Sequence, residues 1–234
     1  MTSRGHRLVL AVASFCLVFT FMPVPQADAQ RVNVLIVGDS VASVLRWAPE
    51  SMRPLWGGAY NTTLEVWGCQ KLLDPGCIDS AQKSALDQIV KYRTRDIDIV
   101  VMATGYNDTG SEYVRRAIRK INAEVRSQGA SLMWLTYREN GNVKIKNRAF
   151  NKVLRKEAKR LQITLLDWEF IARKNKHWFS GDRVHMNRFG GLQLARNIKK
   201  ALDLKMGYTR ATTTTSTTTT TPTTTTVVAT TVPS

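Results

Sequence analysis

Val32-Asn33-Val34-Leu35-Ile36-Val37-Gly38-Asp39-Ser40 is the stretch on which the fold turns. It is a short, β-branched apolar run that breaks at Gly-Asp-Ser. An apolar run of this length reads as a strand buried on both faces, the kind that parallel sheets use. A helix-like segment follows, Val41 to Trp47, ended by Pro49. The serine at the strand's exit therefore stands where open α/β sheets bind their ligands, outside the carboxyl ends of the strands.

The same alternation repeats downstream. Thr62–Trp67, Ile97–Ala103, Leu132–Tyr137 and Ile163–Leu166 read as four further strands. Between them, Ser80–Tyr92 is helical, with Ala81, Leu86, Ile89 and Val90 roughly on one face. Ser111–Gln128 carries Val114, Ile118, Ile121 and Val125 at helical spacing, and Gly129 is placed to stop it. Asn147–Leu161 turns Phe150, Val153, Leu154, Ala158 and Leu161 inward, and Arg188–Leu204 does so with Leu192, Leu194, Ala195, Ile198 and Leu202. Five strands alternating with helices predict a parallel sheet covered on both faces, an α/β domain over about residues 30–210 with right-handed crossovers. A chain of 234 residues, 43% of them hydrophobic, is long enough to build that core.

The two ends differ from this middle. Arg4, His6 and Arg7 precede an apolar run from Leu8 to Met22, and Ala27-Asp28-Ala29 supplies small residues at cleavage spacing. That layout is a secretory signal peptide over residues 1–29. The alternative, an uncleaved membrane anchor, is disfavoured because the run is short of the roughly 18–20 residues that span a bilayer. Residues 211–234 collapse to threonine with a little serine and proline. No core can be built from them, so a disordered tail is expected, a tether or linker on a secreted or envelope-associated protein.

Lys and Arg outnumber Asp and Glu by 34 to 18, for a formal net charge of +16. Most of these cations, such as Arg115, Arg116, Arg119 and Lys120, fall on solvated helix faces. The sharper reading is attraction to an anionic cell-wall polymer. Nucleic acid is not expected as a partner, since export removes the usual target and no recognition motif occurs. Beyond Cys16 in the leader, the cysteines are Cys69 and Cys77, and an even pair in an exported chain reads as a disulfide rather than a metal site.

In a parallel sheet, four stretches fall at the same edge: Ser40 after the first strand, Gly68 after the second, Gly105-Tyr106-Asn107-Asp108 after the third, and Asp182-Arg183-Val184-His185 before the last helix. A serine, a histidine and a carboxylate are the parts of a nucleophilic catalytic unit. Ser40 is too weak a nucleophile alone, so His185 takes its proton and returns it, and Asp182, three residues earlier, fixes the tautomer. The Ser40 and Gly68 backbone N–H groups and the Asn107 amide are the natural donors for the oxyanion. Each residue also has a plainer use. Ser40 could cap the following helix, Asn107 and Asp108 could be a turn and cap before Ser111, and His185 could be a loop histidine. Each of these is comfortable alone; together they require a coincidence.

Ser40, Gly68, Asn107 and His185 in four ordered blocks resemble the SGNH hydrolase family, the GDSL-type esterases, over nearly all of residues 32–206. The resemblance implies a three-layer α/β/α, flavodoxin-like sandwich and ester hydrolysis or acyl transfer through an acyl-serine, with no metal and no cofactor. Val41 stands where the family's nickname has leucine, and Trp67-Gly68-Cys69-Gln70 lacks a longer motif. Gly68-Cys69 also looks like the start of the same block in extracellular sugar O-acyltransferases. A bridge between Cys69 and Cys77 would pin the oxyanion loop. The α/β-hydrolase elbow Gly-x-Ser-x-Gly is broken at Ala42, and no phosphate loop or zinc helix is present. Three functions stay open from sequence: an exported esterase acting on O-acyl esters such as those of wall carbohydrate; an O-acyltransferase on extracellular glycan; and a catalytically idle wall-binding module. Trp47, Trp56, Tyr106 and Trp178 are candidates for an aromatic sugar or acyl platform.

Overall fold

The computed structural model describes residues 31–77 and 83–207; the segments read as a signal peptide and as a threonine-rich tail lie outside them. Strands and helices alternate: β1 (Val32–Gly38), α1 (Val44–Trp47), β2 (Tyr60–Val66), α2 (Ala85–Val90), β3 (Ile99–Ala103), α3 (Ser111–Ser127), β4 (Ser131–Leu135), α4 (Lys144–Leu161), β5 (Thr164–Leu166), α5 (Trp168–Ala172) and α6 (Arg188–Lys205). The strands form one sheet in the order β2-β1-β3-β4-β5, and every pairing is parallel.

That order is the flavodoxin-like one, and it fixes where a ligand can sit. The chain leaves β1 toward β2 on one side, then returns across β1 to place β3 on the other. The crevice between the exits of β1 and β3 is the switch point at which such sheets bind ligands. Gly38, the last residue of β1, pairs with Val66 at the end of β2 and Ala103 at the end of β3. Three loops thus leave the sheet side by side.

The alternation of side chains along each strand divides the core into two layers. Val34 and Ile36 of β1 pack with Val101 of β3 against Leu45 of α1, Ala172 of α5 and Leu194, Ala195 and Ile198 of α6. Leu35 and Val37 pack on the opposite face with Val100 and Met102, against Ile89 of α2, Ile118 and Ile121 of α3 and Leu154 of α4. Each of these β1 side chains is fully buried, which stabilises the fold by about 1.5–3 kcal/mol apiece. The result is the expected three-layer sandwich.

Boundaries move by a few residues. The second helix begins at Ala85, not Ser80, because Ser84 and Asp87 form a reciprocal capping box. Its buried residues are Ala85, Gln88 and Ile89, while Leu86 and Val90 are only partly covered and Ala81 lies outside the described residues. The short α5, buried through Trp168 and Ala172, is an addition to the elements expected from sequence. Among the described residues, no helix is long and apolar enough to cross a membrane.

Candidate active site

The loop after β1 is organised by Asp39. Its carboxylate is fully buried, with one oxygen accepting from Val41 N–H at 3.0 Å and the other from the Gly105 and Tyr106 N–H groups at 3.0 and 2.9 Å. The Thr104 hydroxyl donates to the second oxygen at 3.3 Å. Burial pushes this carboxyl above its ordinary range, and the donors pull back without cancelling the rise. Asp39 therefore staples the exit of β1 to that of β3. It is also the cap of the short 3-10 turn Ser40–Ala42, so the capping task considered for Ser40 belongs to its neighbour. Ser40 opens that turn, where a backbone N–H has no acceptor inside the helix and remains available to an anion.

The Ser40 hydroxyl meets the loop that precedes α6. Ser40 Oγ lies 3.0 Å from His185 Nε2, and His185 Nδ1 lies 2.5 Å from Asp182 Oδ2. The other oxygen of Asp182 accepts from the N–H groups of Val184 and His185, at 2.9 and 3.0 Å. Burial alone would raise the Asp182 carboxyl, but the contact with His185 and these two N–H groups outweigh it and hold it below its ordinary range. It stays an anion when the imidazole takes a proton. Both side chains remain nearly half exposed, at 45% for His185 and 47% for Asp182.

The loop itself is braced from below. An isolated antiparallel bridge joins Phe179 to Met186, and Ser180 N–H donates to His185 C=O at 2.8 Å. Arg183 takes a left-handed conformation, φ +64°, and its carbonyl accepts from Arg138 Nε at 2.8 Å. Arg138 is 1% exposed; its Nη1 donates to Ala172 C=O at 2.7 Å and its guanidinium lies 3.5 Å from the Phe179 ring centre. Burial lowers its pKa, and among the described residues no carboxylate lies within ion-pair distance of it. Gly141 completes the support from the β4 side. It has φ +57°, and a Cβ there would fall 2.7 Å from the Asp182 carbonyl oxygen.

The third loop brings Asn107. Gly105 must be glycine, because its φ is +131° and a Cβ would lie 2.3 Å from the Tyr137 hydroxyl. Asn107 Nδ2 donates to Gln70 C=O at 3.1 Å, which turns the amide toward the cleft's edge and leaves its second hydrogen for another acceptor. Asp108 points the other way. Both of its oxygens lie 3.2 Å from Leu72 N–H, tying the β3 loop to the β2 loop, and burial pushes its carboxyl up to about 6. Asn107 does lie in a turn, but the cap position before α3 is held by Gly110 with no side-chain cap, so neither Asn107 nor Asp108 caps that helix.

Gly68 lies in the turn after β2, and no hydrogen bond joins it to Ser40 or Asn107. Cys69, next in the chain, is left-handed at φ +59° and forms the disulfide with Cys77, their Cα atoms 5.4 Å apart. Closing a loop of this size is worth about 2.5 kcal/mol in the chain-entropy account. The bridge adjoins Gln70, whose carbonyl accepts from Asn107 Nδ2, so it pins the acceptor that orients Asn107.

A cleft of about 360 Å³ opens over Ser40, bounded by Tyr106, Asn107, Val143, Asp182, Val184 and His185. Of the four aromatic residues considered as a platform, only Tyr106 borders it. Trp47 and Trp56 are exposed, and Trp178 stacks on Trp168 in the core with ring centres 5.8 Å apart. Among the described residues, no group of three or more His, Cys, Asp or Glu side chains is placed to hold a metal ion.

Neither a family model nor a curated protein matches this sequence. Solved structures do match the fold. TesA is 17% identical with a TM-score of 0.59, over 74% of this chain and 98% of TesA. A lipolytic protein of the G-D-S-L family from Veillonella parvula is 16% identical with a TM-score of 0.56, over 74% and 97%. A carbohydrate acetylesterase family member from Sinorhizobium meliloti is 14% identical with a TM-score of 0.60, over 75% and 99%.

The fold is that of the SGNH hydrolases. Within this SGNH fold, Ser40, Asp182 and His185 come together from opposite ends of the chain, with Asn107 beside them. Asp39, Asp108 and Arg138 are the residues that sequence reasoning missed as builders of the site. Asp39 and Asp108 stand inside motifs already noticed, and an acid next to a strand's end is a usable signal for a loop staple. Arg138 carries no such signal: one arginine among many basic residues gives no hint that it is buried.

Proposed function

We propose that this chain is a serine esterase of the SGNH type that cleaves O-acyl esters through an acyl-Ser40 intermediate. The observation that carries the reading is the unbroken hydrogen-bonded chain Ser40–His185–Asp182 at the β1/β3 switch point. His185 Nε2 takes the hydroxyl proton as Oγ attacks the ester carbonyl, and the imidazolium is stabilised by the Asp182 anion. The carbonyl oxygen becomes an oxyanion received by the N–H groups of Ser40 and Gly68 and by Asn107 Nδ2. Its collapse expels the alcohol, which leaves with the proton from His185. Water then attacks the acyl-enzyme, giving up a proton to the same nitrogen, and the acid is released as Ser40 regains its hydrogen. The half-exposed imidazole supports water as the acceptor.

Export and action on cell-wall carbohydrate esters belong to this proposal. They are supported by the leader-like residues 1–29, the Cys69–Cys77 bridge and the excess of cations, which suits an anionic wall. Ser40→Ala is the first test. Hydrolysis of p-nitrophenyl acetate should drop at least a thousandfold, roughly the contribution of an activated nucleophile, and a fluorophosphonate adduct on Ser40 should disappear. Wild-type activity in the variant would overturn the reading. Mass spectrometry of products formed with an acyl donor and a glycan separates free acid from acylated sugar, and hence hydrolysis from transfer.

A further inference from the structure

A second, much smaller space adjoins the catalytic cleft. It is lined by apolar side chains that include Ala42, Ala103, Leu135, Trp168, Met186 and Leu194, and its free volume is about 10 Å³, the threshold for a single water. Two residues, Val41 and Tyr106, line both this space and the cleft. They are the wall between them. Val41 follows the nucleophile and is 4% exposed, while Tyr106 stands between the Gly105 turn and Asn107.

The wall is firmly held. Tyr106 Oη accepts from Arg138 N–H at 2.7 Å, its ring meets Tyr137 edge-on with centres 5.5 Å apart, and its own N–H donates to Asp39. Its carbonyl accepts from Lys146 Nζ. A side chain held at its hydroxyl and its ring, on a backbone held at both its N–H and its carbonyl, does not swing aside for a substrate as a free one would.

We infer that Val41 and Tyr106 set the length of acyl group this enzyme accepts, restricting it to acetyl-sized groups. The inference rests on the esterase reading above. An acyl group on Ser40 Oγ that turns inward from solvent meets Val41 and Tyr106 at once. A methyl fits against this wall, whereas a longer chain directed inward meets a space too small to receive it and must lie instead along the open, solvated cleft. The apolar lining behind the wall would welcome methylenes if the wall were trimmed, because each newly buried one gains a few-fold in binding.

The experiment compares kcat/KM for p-nitrophenyl acetate, butyrate and octanoate in the wild type, Val41→Ala, Tyr106→Ala and Tyr106→Phe. The wild type should favour acetate over octanoate at least tenfold. The octanoate-to-acetate ratio should rise about tenfold or more in Val41→Ala and Tyr106→Ala, from the methylenes newly buried. It should hold in Tyr106→Phe, which keeps the ring and loses only the hydroxyl. A wild type that prefers octanoate overturns the inference. So does an unchanged ratio in both alanine variants, or loss of all activity in both. A wild type inert to every ester and unlabelled by fluorophosphonate instead fails the esterase reading, and the acyl-length wall falls with it.

Discussion

The 2.5 Å contact from Asp182 to His185 holds the imidazole with its proton on Nδ1, leaving Nε2 unprotonated toward Ser40. Asp182→Asn would reverse that: an amide donor facing Nδ1 selects the opposite tautomer, with a hydrogen on Nε2 aimed at the nucleophile. The expected result is a kcat lower by about 10²–10⁴ with KM little changed, read by steady-state kinetics on a neutral ester. Asp108 makes a different prediction. Its carboxyl sits at about 6 against an ordinary 3.8, so the folded protein takes up a proton between those values and its stability falls as pH rises from 3.8 through about 6. Asparagine can still accept from Leu72 N–H and from the Tyr113 hydroxyl without carrying charge into the core. Asp108→Asn should therefore be more stable than wild type at pH 7, by about 1–3 kcal/mol, and the difference should vanish near pH 4. Urea titrations at the two pH values measure it.

At the scale of elements, α3 and α4 are clasped by Glu157. It is 1% exposed and meets Arg119 at 3.0 Å through both oxygens and Arg160 at 2.7 Å. The bonds from Arg119 lead in lowering its carboxyl to about 2, against burial, which raises it. A depressed acid contributes stability above its ordinary value of 4.5 and loses it as pH falls toward 2. The arginine partners are half exposed, so solvent screens the pairs. Glu157→Gln should cost about 1–2 kcal/mol at pH 7 and close to nothing at pH 2. Elements of this kind were also the most legible part of the sequence. The long stripes of α3, α4 and α6 and the apolar runs of β1 and β3 carry strong periodicity, and the sheet follows from their alternation. The α5 segment Trp168–Ala172 is too short to show a period, and it is held by Trp168 stacking on Trp178 rather than by propensity. The site divides similarly. Ser40 and Asn107 were readable as candidates from their place after strands, and Asp182 and His185 from their three-residue spacing before the last helix. Arg138 was not, because burial of a cation depends on carbonyls contributed by residues far along the chain.

At the scale of the whole molecule, a strong excess of positive charge, +16 over the full sequence, acts on any approaching substrate with or without residues 1–29. The cations lie mostly on helix faces, but Lys146 and Arg183 stand close to the cleft, Lys146 donating to the carbonyls of Tyr106 and Asp108. A field of one sign raises the local concentration of opposite charges and fades as salt shortens its reach, from a screening length of roughly 10 Å at 0.1 M to roughly 3 Å at 1 M. For a neutral acetyl ester, kcat/KM should be nearly independent of salt. For an acetyl ester whose alcohol portion carries one or two negative charges, kcat/KM at low salt should exceed that at 0.5 M by several-fold, about the lower end of electrostatic steering. The difference should reside in KM rather than kcat, since the field gathers substrate and does not touch the reacting bond. Equal salt dependence for the charged and neutral esters would show that the basic surface does not steer substrates, leaving attachment to an anionic polymer as the use for its charge.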